Sequence, residues 1–310
     1  MKPQISIGLL GLFIWVPGFV RADGKTGASG EFSVPPPTNS GKPCAHGGKY
    51  KVSLTFDDGP DKSLTPRVLD ILKKKNIKAT FFISSNHFPS FVNKTRPSRT
   101  EADLVGILRR IQKEGHVIGS HSYAHIDHAE SSQEEITTNL NKNDKVLKNL
   151  GLNKIGMPFR FPYGGGWIDG HGSQAVMQDV KKRGFTPTHW DIDSWDWSKI
   201  KRKALPDSLL SQICSHGGGV ILMHDVQQFE ANNLAKIVDW IRASGHEIVP
   251  LSTIQKNKSP ILGKFPSLAD RATWYKSCSG GKIGDMDSTW PSCDLYSGHS
   301  SDRKRMGTAQ

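Results

Sequence analysis

The chain has 310 residues, of which 36% are apolar and 23% charged, and its formal charge is +12. That length and apolar content support an ordinary buried core and exclude a chain disordered throughout. The positive balance suits an anionic partner, but no nucleic acid is expected, because no zinc-finger, RNP or P-loop pattern is present.

Residues 1–22 have the layout of an export signal. Lys2 supplies a positive start, residues 5–20 are apolar and uncharged, and Val20-Arg21-Ala22 is a variant of the small-residue cleavage site. The apolar run is shorter than the ~20 residues of a membrane span. An uncleaved anchor is the alternative, which Arg21 beside the cut keeps open. No second long apolar run occurs, so no stable membrane insertion is expected after cleavage. The mature chain is expected to be secreted, either extracellular or periplasmic. Removing Lys2 and Arg21 from +12 leaves +10, a balance suited to an anionic cell envelope or to a merely solvated surface. Residues 23–48, with Pro35-Pro36-Pro37, read as a Pro/Gly/Ser-rich linker or strap.

Regular patterning begins at residue 50. Strand candidates fall at 51–56, 79–83, 116–119, 157–161, 185–189, 219–223 and 246–249. Helix candidates fall at 64–75, 102–113, 134–150, 172–183, 206–213 and 231–243. Strands alternating with helices imply βαβ units and a parallel sheet, and this number of repeats favours a barrel over a doubly wound domain. Residues 86–100 read as a long loop. The pattern gives a domain over 49–255 and an extension over 256–310. The extension holds Cys278 and Cys293, the preferred disulfide pair, which leaves Cys44 with Cys214. The other two connectivities remain open.

Sites in such folds form where strands end. The first strand ends in Asp57-Asp58-Gly59-Pro60. Two adjacent carboxylates fit one metal ligand and one proton-transfer group, or an Asx turn. The third strand runs into His121-Ser122-Tyr123-Ala124-His125. Two histidines four apart on one helical turn, with one carboxylate, make a facial metal set with open positions. A solvated helix face is the alternative, and His128 reads as surface. Arg160 can hold a carboxylate ionised, and Pro162-Tyr163-Gly164 is a turn whose N–H groups could meet an oxyanion. Trp190-Asp191-Ile192-Asp193-Ser194-Trp195-Asp196-Trp197 offers stacking faces for sugar rings, or a core cluster. His224, directly after a buried strand, sits where a general acid would, or is a core histidine.

As a set, Thr55-Phe56-Asp57-Asp58-Gly59-Pro60, His121-Ser122-x-x-His125, Arg160-x-Pro162-Tyr163-Gly164, Asp193-x-x-Asp196-Trp197 and Leu222-x-His224 resemble the NodB-type polysaccharide deacetylases of carbohydrate esterase family 4. All five family motifs occur, in order, across about residues 50–250. The resemblance implies an α/β fold, a distorted (β/α)7 barrel, and a divalent metal, zinc or else cobalt, on Asp58, His121 and His125. It implies Asp57 as general base oriented by Arg160, and His224 as general acid tuned by Asp196. The Tyr163 N–H, in the turn that Pro162 opens, would meet the oxyanion, and Trp197 and Leu222 would line the acetyl pocket. The substrate expected is an aminosugar polysaccharide, peptidoglycan first. Chitin or chitooligosaccharides come next, then acetylated xylan or a catalytically silent sugar binder.

Overall fold

The computed structural model describes residue 44 and residues 48–152, 154–167, 173–197 and 205–254. The expected export signal, nearly all of the strap, and the extension with Cys278 and Cys293 lie outside the described residues.

The chain builds β1 (Lys51–Asp57), α1 (Leu64–Lys74), β2 (Thr80–Ile83), a 3-10 turn (Ser85–His87), α2 (Pro89–Asn93), α3 (Arg99–Lys113) and β3 (Val117–Ser120). It continues with α4 (Gln133–Asn149), β4 (Pro158–Phe159), a 3-10 turn (Pro162–Gly164), α5 (Ser173–Lys182), β5 (Thr186–Pro187) and β6 (Ile192–Asp193). Last come α6 (Leu205–His216), β7 (Gly219–His224), α7 (Gln228–Ala243), β8 (Glu247–Ile248) and a 3-10 turn (Leu251–Thr253). Strands run in the order β5-β4-β3-β2-β1-β7-β6, and β8 joins the start of β1. Every pairing is parallel. The sheet curls into a half-barrel clad by helices, the distorted (β/α)7 barrel expected.

β1 is central. After Lys51 every residue of it is buried. Val52, Leu54 and Phe56 join the apolar core, while Ser53, Thr55 and Asp57 share the opposite face. A strand covered on both sides reads as a near-continuous run rather than a clean alternation. The helices bury apolar stripes at helical spacing, such as Val68, Leu69 and Leu72 on α1. α3 and α4 each open on a capping box, Ser98 with Glu101 and Ser132 with Glu135.

Register then places the site. Asp57 pairs with Phe82 on one side and His224 on the other, so β1, β2 and β7 end level. Ser120 pairs with Ile83 and Phe159, which brings His121 and Arg160 to the same rim. A disulfide joins Cys44 to Cys214 across 170 residues of sequence, tying the segment before β1 to α6. A disulfide typically contributes about 2–4 kcal/mol, and more the longer the loop it closes.

Three expectations change. Residues 86–100 are not a plain loop, because they contain α2 and the capped start of α3. β6 is a two-residue strand inside the tryptophan-rich stretch, too short to carry a periodicity. Residues 121–125 form no helical turn.

Candidate active site and metal centre

Asp57 ends β1 almost fully buried. Its Oδ1 accepts a 2.8 Å hydrogen bond from Arg160 Nη1, and the same nitrogen donates to Thr55 Oγ1 at 2.8 Å. Arg160 is wholly buried, stacked 4.1 Å over the Phe82 ring, and its Nη2 donates to the His189 carbonyl. Burial draws the Arg160 pKa down, and the Asp57 carboxylate opposes that. Arg160 thus fixes one oxygen of Asp57 and leaves Oδ2 facing His121, whose Nε2 is 3.7 Å away.

Asp58 takes a left-handed backbone, φ 74°, and the chain turns its carboxylate to the other side. Its Oδ1 lies 3.4 Å from His121 Nε2 and 3.1 Å from His125 Nε2, without the alignment of a hydrogen bond. Two more residues are left-handed here, Ser122 (φ 66°) and His125 (φ 51°). A loop bent twice, rather than a helix, therefore brings the two imidazoles to ring centroids 4.9 Å apart. His121 Nδ1 donates to the Arg160 carbonyl at 2.8 Å, which fixes the tautomer and aims the Nε2 lone pair at Asp58.

Burial raises the Asp58 pKa, but His125, His224 and His121 together outweigh it and the net shift is downward. Burial holds the His121 pKa down at about 4, against the pull of Asp57. At His125 burial also opposes charge, yet Asp58 prevails and the pKa rises. An ionised Asp58 and a neutral His121 are in the donor state a metal needs, and His125 would release its proton on binding the ion.

One ligand atom from each of Asp58, His121 and His125 falls within 4.8 Å of the other two. The carboxylate oxygen at their centre is buried with no hydrogen-bond partner. An N,N,O set on one face, with an unsatisfied oxygen, fits a divalent cation that keeps open positions. Tyr163, also left-handed (φ 55°), packs its ring edge-on to His125 at 4.7 Å, on the turn opened by buried Pro162.

The other rim is built by β6 and β7. His224 Nδ1 donates to Asp196 Oδ1 at 2.8 Å, and the His224 backbone N–H donates to Asp196 Oδ2 at 2.7 Å. Burial opposes protonation of this imidazole, but Asp196 lifts the pKa to about 10. Asp193, pushed up by burial to about 6, accepts from the Trp195 N–H and the Trp197 indole. Leu222 pairs in register with Asp193 and Thr55 and is buried. All eleven candidate residues thus meet at one end of the sheet.

His128 is corrected. It is fully buried, with its ring 5.7 Å from that of Phe161, and burial lowers its pKa to about 3. It packs as an apolar group under the loop. Three neighbours are not announced by the sequence patterns: His87, Asp225 and Glu230. His87 Nε2 donates to the Asp58 carbonyl at 2.9 Å. Asp225 accepts from Thr65 Oγ1, and burial lifts its pKa to about 7. Glu230 is fully buried with neither oxygen hydrogen-bonded, and burial, then Asp196, push its pKa well up. His87 lies shortly past the end of β2, so a search of that strand end like the others would have found it.

Carboxylates and imidazoles gathered at strand ends define a hydrolytic class of site. The sequence profile described as polysaccharide deacetylase matches residues 45–188. The chain is 31% identical over 216 residues to the peptidoglycan-N-acetylglucosamine deacetylase of Bacillus cereus, covering 66% of this chain and 68% of that one. It is 30% identical to the peptidoglycan-N-acetylglucosamine deacetylase PgdA of Listeria monocytogenes, covering 68% of this chain and 40% of the relative. A solved peptidoglycan N-acetylglucosamine deacetylase bound to a naphthalenyl benzamide superposes with a TM-score of 0.52 at 28% identity, covering 68% of this chain and 91% of that one. The chain belongs to the polysaccharide deacetylase family.

Proposed function

We propose that this protein hydrolyses the N-acetyl group of N-acetylglucosamine units in peptidoglycan, releasing acetate and a free amine, and that it does so outside the cytoplasm. The observation that carries the reading is the meeting of Asp58, His121 and His125 with two separately supported proton-transfer groups, Asp57 and His224, at one end of the sheet. The choice of peptidoglycan rests on the activity named for the Bacillus cereus and Listeria relatives. Export rests on the apolar start of the chain and on a positive balance suited to an anionic envelope. No helix among the described residues is long and apolar enough to cross a membrane.

Asp58, His121 and His125 would hold the ion, best read as zinc from the two imidazoles and one carboxylate. Bound there, it would lower the pKa of a water and polarise the acetyl carbonyl. Asp57, with one oxygen tied to Arg160, takes the proton of the attacking water on its other oxygen. The Tyr163 backbone N–H faces the developing oxyanion. The acetyl methyl sits between Trp197 and Leu222. An amide nitrogen leaves only when protonated, and His224 supplies that proton from Nε2. The Asp196 carboxylate on Nδ1 keeps the imidazole charged at neutral pH. Water adds across the amide C–N bond, giving acetate and amine.

The test measures acetate release side by side on peptidoglycan, chitooligosaccharides and acetylated xylan, with and without exhaustive chelation. Fastest release from peptidoglycan, lost on chelation and restored by zinc or cobalt, is expected. Preference for another polymer overturns the substrate, and activity that survives chelation overturns the ion.

A further inference from the structure

The turn after β2 touches every segment that bears a metal-facing group. Ser84 N–H donates to the Gly59 carbonyl at 3.0 Å. Ser85 donates to the Ser122 carbonyl twice, from its N–H at 3.0 Å and from Oγ at 2.9 Å. Asn86 N–H donates to the Tyr123 carbonyl at 2.9 Å. His87 then reaches across to Asp58, Nε2 to carbonyl oxygen, at 2.9 Å. A carbonyl only accepts, so the hydrogen is on Nε2.

These are the peptides that need support. Asp58, Ser122 and His125 all sit at positive φ without being glycine. Each such residue costs on the order of 1–3 kcal/mol and persists only where its surroundings over-determine it. The Ser122 segment has three bonds from the turn holding it. The Asp58 peptide has the His87 ring on its own carbonyl and the Ser84 N–H on the next.

We propose that His87 is a positioning residue of the metal centre. Its Nε2–H pins the Asp58 carbonyl and so fixes the left-handed twist that turns the Asp58 carboxylate toward His121 and His125. The Ser84–His87 turn thereby locks the aspartate and the two histidines into one register. His87 is not one of the three residues whose ligand atoms cluster, and it acts through Asp58. The proposal rests on the metal reading of that trio.

The test titrates zinc alone into the full metal-free chain against a chromophoric chelator, for wild type, His87→Ala, His87→Phe and His87→Gln. The alanine and phenylalanine variants should lose about 10- to 100-fold in zinc affinity, the range seen when an outer-shell partner is removed. Glutamine keeps an N–H donor at similar reach and should recover most of it. Melting of the metal-free variants reads out a merely structural role, which would lower stability and leave zinc affinity alone. Wild-type affinity in His87→Phe overturns the proposal, and so does a glutamine variant as weak as alanine. A wild-type chain that binds no zinc overturns the metal reading itself, before any variant is compared.

Discussion

The two rims of the site hold their groups in different ways. On the β1–β3–β4 side, hydrogen bonds to fixed backbone or to a buried guanidinium dictate where each group points. Arg160 holds Asp57, the Arg160 carbonyl holds His121, and the Ser84–His87 turn holds the flanking peptides. On the β6–β7 side, charge dictates which groups carry protons. Asp193, Asp196, Asp225 and Glu230 gather around His224, and burial lifts three of the four carboxyls while Asp196 keeps the imidazolium. Directional contacts suit groups that must stay deprotonated and aimed. An acid-rich buried shell suits a group that must hold a proton until the leaving nitrogen needs it. Substitutions should therefore fail differently on the two rims.

The largest effect belongs to Asp57→Asn. The change keeps shape and leaves Asp58, His121 and His125 in place, so zinc should still bind at one ion per chain. Turnover should fall about 10²- to 10⁴-fold, the range for a lost general base. Metal content by elemental analysis beside kcat checks both halves. Near-normal turnover would move the base elsewhere, and lost metal would make Asp57 a ligand.

Next comes Asp196→Asn, whose signature is a pH shift. Asp196 lifts the His224 pKa to about 10, and the proposed reaction needs that imidazole protonated, so activity falls as pH rises through the His224 pKa. Without the carboxylate, burial is opposed only by the charges of Asp58 and Asp57, and the pKa falls. The alkaline limb of kcat/KM should move down toward neutrality, with KM little changed. A limb that stays where it is in wild type would mean His224 is not the acid. The same pair bears on stability. A histidine pKa raised in the folded state contributes stability fully present below its unfolded value, about 6.5. That contribution is lost as pH rises through about 10.

The same contrast explains what the sequence makes legible. Asp57, Asp58 and His224 stand out because they end long buried strands, where a run of apolar residues stops at a charge. His121 and His125 stand out by spacing, although left-handed bends at Ser122 and His125, not a helix, supply the geometry. The links between segments are not legible. Thr55 and Arg160 lie 105 residues apart, and His87 and Asp58 lie 29 apart, with no periodic pattern to join them. His128 shows the opposite failure. Its sequence position reads as surface, and packing against Phe161 makes it part of the core. β6 escapes notice because two residues carry no period, yet it delivers Asp193 and leads into Asp196.

The smallest expected effect is Glu230→Gln, and it discriminates because it should be small. A carboxyl with no exposed surface and no hydrogen-bond partner, beside a carboxylate already accepting twice from His224, is far cheaper to keep neutral than ionised. Glutamine copies the shape of the neutral acid and adds no charge. If Glu230 is protonated while the enzyme works, kcat should stay within about threefold and the alkaline limb should not move, since no charge near His224 has changed. If it is ionised, the substitution removes a negative charge beside the imidazolium, and the limb should drop in the same direction as for Asp196→Asn. Measured on one pH profile, the two variants separate a carboxyl that sets the His224 charge from one kept silent by burial.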